Sequence, residues 1–279
     1  MKKSISYWSF PGGLDAAKPI RDAMKEAKAA RFDCIELCFA PTGVLCPDTT
    51  EARCREILAD AKAIGIEISS LCTGMYWDFS LTDDDEAVRQ KAYDLSVSYI
   101  QCAKWLKVKN VLVVPGAVDV FFKPGFKRLQ YDVVWKRSVA QLKKLGKVAA
   151  KNGVTLCIEN VWNKFLLSPV EMKCFLNEIG SKNVAAYFDV GNIMLYGYPD
   201  QWIRILGKRI RRIHFKDFKT SVGTAAGFCD ILAGDVPWGE IMKAFREVGY
   251  DGPCTAEMMP PDPTLLERSS KAMDKIFAM

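Results

Sequence analysis

Hydrophobic residues along this chain follow two alternating patterns, short continuous apolar runs and longer stretches with helical spacing. The apolar runs predict eight strands, at residues 4–8, 33–38, 66–72, 110–115, 155–160, 184–189, 210–215 and 253–257. Residues 110–115 are nearly all apolar, as expected of a strand that is covered on both faces. Between the strands, apolar residues three and four positions apart predict helices. This alternation of strand and helix is typical of a parallel sheet covered by helices.

Several predicted helices have clear boundary signals. Gly65 follows the helix predicted over residues 48–64, at the position where a left-handed residue ends a helix. The acidic run at residues 83–86 predicts a helix that begins near Thr82. Ser168, the proline after it and Glu171 combine an N-cap, a first-turn proline and a capping-box glutamate. The last helix is predicted over residues 265–277.

Eight strand-helix units without a linker predict an α/β fold, a single (β/α)₈ TIM barrel whose one domain spans residues 1–279. The length of 279 residues suits such a barrel. An open doubly wound sheet is less favoured, because the sequence has neither a glycine-rich dinucleotide fingerprint nor a P-loop. In a barrel, the carboxyl ends of all the strands meet at one face.

The last four predicted strands each end at a side chain of a metal-binding type. These residues are Glu159, Asp189, His214 and Glu257. Alone, each has an ordinary interpretation, such as a helix cap, an ion-pair partner or a core histidine. Together they predict a site for one divalent ion, because three uncompensated carboxylates so close would repel one another. The donor set favours Mn²⁺ or Mg²⁺ over a structural zinc, with Co²⁺ and Zn²⁺ as alternatives.

Composition adds little to this picture. The net charge of +6 is spread without a basic run, which indicates either a slight preference for anionic ligands or an ordinary solvated surface. The ten cysteines form no C-x-x-C pair, and most lie in apolar runs, as free thiols do. No apolar stretch approaches about 18 residues, so a cytoplasmic location without a membrane partner is expected.

Seven passages carry a resemblance to a known family. They lie at residues 32–37, 105–116, 158–160, 189–192, 214–217, 234–238 and 249–252, the last with Glu257 after it. In these passages the chain resembles the sugar-phosphate isomerase/epimerase superfamily of xylose-isomerase-like TIM barrels. That superfamily includes ketose 3-epimerases, hydroxypyruvate isomerase, inosose dehydratase and endonuclease IV type repair enzymes. The resemblance spans nearly the whole chain, and it specifies the superfamily rather than the substrate.

The resemblance implies a cytoplasmic, manganese-dependent isomerase or epimerase of carbohydrate metabolism. It implies that Glu159, Asp189, His214 and Glu257 bind the metal, and that Glu159 and Glu257 also act as acid and base. A metal that chelates a carbonyl and the adjacent hydroxyl of a ketose would stabilise the cis-enediolate formed when a proton leaves. The implied partner is a small sugar or sugar phosphate. A homo-oligomer is compatible with this assignment, and no nucleic-acid partner is expected.

Substrate contacts are predicted from residues near these strand ends. Asn192 stands where ketose 3-epimerases often have histidine, and Phe165 where they often have a second carboxylate. Lys216 is expected either to hold an oxygen-rich substrate group or to form a salt bridge with a carboxylate. Trp77 and Trp162 are predicted substrate contacts. Two further aromatic residues are candidates for the wall of a sugar pocket, Trp8 and Phe165.

Glu36 lies inside an apolar strand and therefore needs a partner. Arg212 is the predicted partner, and a structural role is favoured over a catalytic one.

Three alternatives to an epimerase remain. An inosose-type dehydratase would use the same proton abstraction and then expel a hydroxyl group. An endonuclease IV type enzyme needs a histidine-rich cluster of three metals, and the single histidine of this chain argues against it. A non-catalytic barrel with a structural metal is the third alternative.

Overall fold

Eight parallel strands close into a barrel, with the helices on its outside, in the computed structural model, which describes residues 1–279. The predicted TIM barrel is therefore confirmed. In chain order the elements are β1 (Lys2–Ser6), α1 (Ile20–Ala29), β2 (Cys34–Cys38), α2 (Glu51–Ile64), β3 (Glu67–Cys72), α3 (Glu86–Trp105), β4 (Asn110–Val113), α4 (Tyr131–Asn152), β5 (Thr155–Glu159), α5 (Pro169–Ile179), β6 (Val184–Asp189), α6 (Pro199–Leu206), β7 (Ile210–Phe215), β8 (Asp217–Phe218), β9 (Phe228–Cys229), α7 (Trp238–Val248), β10 (Pro253–Ala256) and α8 (Leu265–Phe277).

The two ends of the chain close the barrel. Strand β1 pairs in parallel with β2 on one side and with β10 on the other. The order around the barrel is β1-β10-β7-β6-β5-β4-β3-β2. Asp189 pairs with His214, and Thr255 pairs with the same histidine from the other side. This register brings the carboxyl ends of β6, β7 and β10 into one layer at one face of the barrel.

The residues that mark helix ends in the sequence make the capping hydrogen bonds and adopt the backbone conformation expected of them. Ser168 caps α5 by accepting a hydrogen bond of 3.2 Å from the N–H of Glu171. The carboxylate of Glu171 accepts the N–H of Leu167 at 2.7 Å, which fixes the chain where it enters the helix. Gly65 ends α2 in the left-handed conformation at φ 74°, where a β-carbon would be strained. The predicted ends of these helices are confirmed.

The structure corrects two predicted boundaries. Helix α3 begins at Glu86 rather than near Thr82, because Asp85 is its N-cap and accepts the N–H of Ala87 at 2.8 Å. The first strand is Lys2–Ser6 rather than 4–8, because the chain turns through a 3₁₀ helix after it.

The segment between β7 and α7 contains the antiparallel pair β8–β9, which the hydrophobic pattern does not predict. With two residues in each strand, this pair is too short to give an alternating pattern.

The helices cover the outside of the barrel with apolar faces. Large aromatic side chains are fully buried in this layer and inside the barrel, among them Tyr7, Tyr99, Tyr187, Phe175, Phe188 and Phe245. The six cysteines that the sequence places in apolar runs are all buried, which agrees with their role as small hydrophobic residues. None of the helices combines the length and the apolar character that a membrane span requires.

Candidate metal centre at the carboxyl ends of the strands

Four buried side chains meet at the carboxyl face of the barrel. Glu159 ends β5, Asp189 ends β6, His214 lies in β7 and Glu257 follows β10 directly. Each offers one ligand atom, and these four atoms all lie within 4.8 Å of one another. The strand ends predicted from the sequence thus bring these residues together.

Asn160 and Asp189 fix each other where β5 ends. The side chain of Asn160 donates to the carbonyl of Asp189 at 2.8 Å and accepts its N–H at 2.9 Å. One carboxylate oxygen of Asp189, Oδ1, accepts the N–H groups of Gly191 and Asn192 at 2.9 and 2.8 Å. The other oxygen, Oδ2, is therefore left for the centre of the cluster. The sequence motif contained Asn160, but its role was not predicted.

The imidazole of His214 connects the cluster to a second buried layer. Its Nδ1 lies 2.7 Å from Glu257 and 3.3 Å from Glu159, while its Nε2 lies 2.8 Å from Glu36. Glu36 is completely buried, and it also accepts the hydroxyl groups of Ser70 and Tyr187 at 2.7 and 2.5 Å. A carboxylate that binds one ring nitrogen of a histidine in this way orients the other nitrogen, which here faces the carboxylates of the cluster.

The predicted partner of Glu36 is wrong. Arg212 donates to the backbone carbonyl of Ser69, at 3.0 Å from Nε and 2.8 Å from Nη2. Both Arg212 and His214 lie on β7, but it is the side chain of His214 that lies level with Glu36 inside the barrel.

Lys216 occupies the open side of the cluster. Its ammonium group lies 3.0 Å from Glu257 and 3.2 Å from Asp189, and its side chain is only 14% exposed. The ammonium group also lies 5.6 Å from the centre of the Phe228 ring. The salt bridge that was one of the two alternatives for Lys216 is thus present, and contact with a substrate stays a prediction.

Burial and neighbouring charges shift the two glutamates in opposite directions. Burial raises the pKa of Glu159 to about 7. Burial also disfavours the ionised form of Glu257, but the positive charges of Lys216 and His214 outweigh it and lower the pKa of Glu257 to about 2. Burial likewise raises the pKa of Asp189. Near neutral pH, Glu159 is therefore partly protonated in the metal-free protein, while Glu257 is ionised.

The two basic groups are shifted by the same carboxylates. Burial disfavours the protonated form of His214, but the charges of Glu257 and Glu36 raise its pKa well above the usual value. The pKa of Lys216 is raised in the same way, with Asp189 and Glu257 outweighing its burial. The carboxylate cluster therefore favours cations.

These residues fit a divalent ion. Asp189 Oδ2 and Glu257 Oε2 are buried and accept no hydrogen bond, although Lys216 and His214 are close. Metal-oxygen bonds of about 2.0–2.6 Å place two ligands of one ion at most about 5 Å apart, and the four donor atoms meet that limit. Three carboxylates and one imidazole suit Mn²⁺ or Mg²⁺.

A cavity of about 560 Å³ opens above the cluster. Asn192, Lys216 and Glu257 belong to its lining, and so do the predicted aromatic residues Trp8, Trp77 and Trp162.

Phe165 was the fourth aromatic candidate for this wall, and that prediction is wrong. Its ring is 1% exposed and packs against Tyr131, Trp135 and Phe175 under the loop. The position where ketose 3-epimerases often have a second carboxylate is thus part of the core here.

Asp217 organises the loop after β7, which the sequence reasoning missed. Its buried carboxylate accepts the N–H groups of Phe218 and Leu232, both at 2.8 Å. It also accepts the N–H of Val236 at 3.1 Å and the indole N–H of Trp238 at 3.0 Å. Two passages of the resemblance, residues 214–217 and 234–238, are therefore in contact, which only the folded chain shows.

The fold and the cluster together define a class, an α/β barrel with a buried carboxylate-imidazole group that could hold a metal ion at the carboxyl ends of its strands. Within that class, the model of the xylose isomerase-like TIM barrel family matches residues 24–276, and the chain belongs to this family.

Its relatives are named epimerases, which are isomerases. A putative L-ribulose-5-phosphate 3-epimerase from Escherichia coli is 26% identical over 83% of this chain and 81% of its own length. A D-psicose 3-epimerase from Ruminiclostridium cellulolyticum is 24% identical over 92% of this chain and 83% of its own length. The crystal structure of D-psicose 3-epimerase with D-tagatose from Clostridium cellulolyticum has the same fold, with a TM-score of 0.79, 21% identity, and coverage of 99% of this chain and 98% of that one.

Proposed function

We propose that the protein is a divalent-metal-dependent epimerase or isomerase of a ketose or a related sugar derivative. The observation that carries this proposal is the cluster itself, four donor atoms within 4.8 Å of one another in which two glutamates take part. The cluster lies at the floor of a cavity that is open to a small molecule. Membership of the xylose isomerase-like family and the named epimerases among the relatives support it.

In this proposal Glu159, Asp189, His214 and Glu257 hold one ion, with Mn²⁺ as the preferred metal. When bound, the metal would supply positive charge beside the oxygens of the substrate, where negative charge develops as a proton leaves carbon. The side chains supply the remaining chemistry.

Glu159 and Glu257 are the proposed acid and base. In the barrel order, β7 and β6 lie between β10 and β5, so the two carboxylates stand on different sides of the cluster. The ionised carboxylate of Glu257 takes the proton from the carbon next to the carbonyl, and the electron pair of that C–H bond moves into an enediolate. The protonated Glu159 then returns a proton to the substrate. Delivery to the same carbon from the other face inverts it, whereas delivery to the former carbonyl carbon isomerises it.

Four residues are the proposed substrate contacts. Asn192 donates its side-chain N–H to Asn160 O at 3.0 Å, which leaves its amide oxygen to accept a substrate hydroxyl. Lys216 would donate to an oxygen of the substrate next to the cluster. The rings of Trp77 and Trp162 would pack on the C–H faces of the sugar.

Proton exchange with solvent tests this function directly. The Mn²⁺-loaded protein is incubated with a panel of ketoses in deuterated water, and deuterium at carbon is followed by NMR. An epimerase or isomerase incorporates deuterium without loss of water from the sugar, whereas a dehydratase gives a dehydrated product. Glu257→Gln and Glu159→Gln should each lower exchange by about 10²–10⁴-fold.

The matched control is Glu240→Gln on the exposed face of α7, which should leave exchange unchanged. Exchange that survives at full rate in both cluster variants would overturn the assigned roles. Cleavage of abasic DNA without any sugar exchange would overturn the function.

A further inference from the structure

We infer that the substrate is an unphosphorylated ketose that carries a second, uncharged ring beyond the sugar carbons at the metal cluster, as a glycosylated ketose with a free carbonyl does. This inference rests on the proposed function and names its substrate class. Two independent features of the cavity carry it. The cavity lacks the cations and N–H groups that a phosphate needs, and its mouth is built from aromatic faces.

The cation that lines the cavity is Lys216, and it lies at the floor. Its ammonium group contacts Asp189 and Glu257, so a sugar held at the cluster brings its reacting carbons to this lysine. A phosphate at the far end of the sugar would lie away from it. Burial of a phosphate without cationic or N–H partners is strongly unfavourable.

The mouth of the cavity offers no free cation either. Asp78 belongs to the lining there, and its carboxylate lies 2.9 Å from the ammonium group of Lys123. Lys123 also donates to the carbonyl of Trp77 at 2.5 Å. A phosphate at the mouth would therefore meet the negative charge of Asp78 and a lysine that already has two partners.

TIM barrels often bind phosphate with the backbone N–H groups of the loops after the last two strands. In this chain the carboxylate of Asp217 fills that position after β7. It accepts three backbone N–H groups, those of Phe218, Leu232 and Val236. In the other loop, Asp262 accepts the N–H of Thr264 at 2.8 Å, just before α8. In both loops an internal carboxylate thus accepts backbone N–H groups that would otherwise be available to a phosphate.

Aromatic rings make a continuous wall from the cluster to the mouth. The ring centres of Phe121 and Phe122 are 5.2 Å apart, Phe122 and Trp77 are 5.1 Å apart, and Phe121 and Trp162 are 5.7 Å apart. Trp162 continues the wall to Phe228, with 5.2 Å between the ring centres. The wall therefore crosses four connections at the barrel face, those that follow β3, β4, β5 and β7.

Two tryptophans that line the cavity, Trp162 and Trp8, present ring faces rather than hydrogen-bond donors. The indole N–H of Trp162 donates to the carbonyl of Asn192 at 2.7 Å. The indole N–H of Trp8 lies 3.2 Å from the sulfur of Cys38. Because both indole N–H groups already have partners, the rings of Trp162 and Trp8 would bind a ligand by stacking and apolar contact.

The outer part of the wall is exposed. Phe121 is 60% exposed, Phe122 49%, Leu14 60% and Met259 42%, and all four line the cavity. Clustered exposed hydrophobic residues commonly mark a binding groove. Because this groove is continuous with the cluster, its occupant is part of the same small molecule whose sugar lies at the floor. A volume of about 560 Å³ is within the range of pockets that take drug-sized ligands, about 300–1,000 Å³.

Calorimetric binding to the Mn²⁺-loaded protein tests both features with defined probes. Isomaltulose, which is D-fructose with a glucosyl ring on O6, is compared with D-fructose, and D-fructose 6-phosphate is compared with D-fructose as well. Isomaltulose should bind about tenfold more tightly than D-fructose, and the phosphate should give no gain over D-fructose. Phe121→Ala should remove most of the preference for isomaltulose. The matched control Tyr198→Ala, an aromatic that is 66% exposed and lies outside this cavity, should keep it.

Three results would overturn the inference. They are tighter binding of D-fructose 6-phosphate than of D-fructose, equal binding of isomaltulose and D-fructose, and an unchanged preference for isomaltulose in Phe121→Ala. A change of oligomeric state in Phe121→Ala with unchanged binding would show instead that the aromatic rim is an interface between copies of the chain.

Solvent exchange separates this inference from the proposed function. Deuterium exchange that favours a sugar phosphate would overturn the substrate class and keep the function. Preferential binding of isomaltulose without deuterium exchange in any sugar would overturn the proposed function and keep the inferred binding site for a second ring.

Discussion

At the scale of single residues, the orientation of His214 depends on a side chain that touches no other ligand of the cluster. Glu36 is fully buried and holds Nε2 at 2.8 Å, so the other ring nitrogen, Nδ1, faces the three carboxylates. Partners of this kind typically contribute about 10- to 100-fold to metal affinity. Glu36 is therefore a positioning residue, since it acts on the metal through the histidine.

Glu36→Gln should weaken Mn²⁺ binding by about 10- to 100-fold. The amide has one acceptor oxygen where the carboxylate serves His214, Ser70 and Tyr187 together. A titration followed by electron paramagnetic resonance measures the affinity. Since His214 is the only histidine, ¹⁵N-histidine labelling reports its tautomer without overlap.

Tyr187→Phe is the control for this variant. It removes one hydroxyl from Glu36 and keeps the contact between Glu36 and His214, so its effect on affinity should be smaller. Equal Mn²⁺ affinity and an unchanged tautomer in Glu36→Gln would contradict the positioning role.

Glu159 predicts a pH dependence for the metal-free protein. Its pKa is raised to about 7 in the folded state, from an ordinary value of 4.5. A raised pKa contributes stability that is complete below the unfolded pKa and is lost as the pH rises through the folded one. Between about pH 5 and 8, the metal-free protein should therefore lose stability relative to Glu159→Gln, which has no proton to release.

Thermal unfolding of both proteins in the presence of a chelator, at several pH values, measures this difference. Parallel curves for the two proteins would contradict the raised pKa. Mn²⁺ should reduce the difference in slope in the parent protein, because the charge of a bound cation would lower the pKa of Glu159.

The sequence located the four ligand-type residues because each ends its own strand, a signal that is local in the chain. It did not find the partner of Glu36, since that depends on how deeply β2 and β7 place their side chains in the barrel. Glu36 and His214 are 178 positions apart. The burial of Phe165 was missed for the same reason, because its partners come from α4 and α5.

At the scale of elements, the segment after β7 is a built structure rather than a flexible connection. The carboxylate of Asp217 gathers N–H groups from both of its ends, and Gly234 packs directly against that carboxylate. A β-carbon on Gly234 would lie 2.3 Å from Asp217 Oδ1 and 2.6 Å from the backbone N of Phe218. Helix caps could be predicted from a few neighbouring residues, whereas this contact joins positions 17 apart, so local patterns did not show it.

Gly234→Ala should lower the free energy of unfolding by about 1–3 kcal/mol, because neither the carboxylate nor the backbone N can move away without loss of hydrogen bonds. The matched control is Gly239→Ala in the first turn of α7, where a β-carbon meets nothing within 4 Å. That substitution should raise stability by up to about 1 kcal/mol through helix propensity.

Urea unfolding of the two glycine variants, followed by circular dichroism, measures both changes. Equal stability of the two variants would contradict the role assigned to the Asp217 segment. A loss of stability in Gly239→Ala would show that the chosen control site is itself constrained.

At the scale of the whole molecule, the carboxyl face of the barrel concentrates acidic groups from strands that are far apart in the sequence. Glu36, Glu159, Asp189 and Glu257 surround His214, and Lys216 covers the open side. In the metal-free protein this lysine is the main fixed counter-charge of Asp189 and Glu257. A divalent ion would compete for the same oxygens. Metal binding and the stability of the barrel are therefore coupled through one side chain.

Lys216→Met should destabilise the metal-free protein by about 3 kcal/mol, because two buried carboxylates lose their partner. It should also increase Mn²⁺ affinity, since the metal no longer displaces an ammonium group. The gap in melting temperature between the Mn²⁺-saturated and the chelator-treated protein should therefore be wider in Lys216→Met than in the parent. Lys208→Met, at an exposed position outside the cluster, should keep the parental gap. A gap that is equal or narrower in Lys216→Met would show that the lysine and the metal do not compete for the carboxylates.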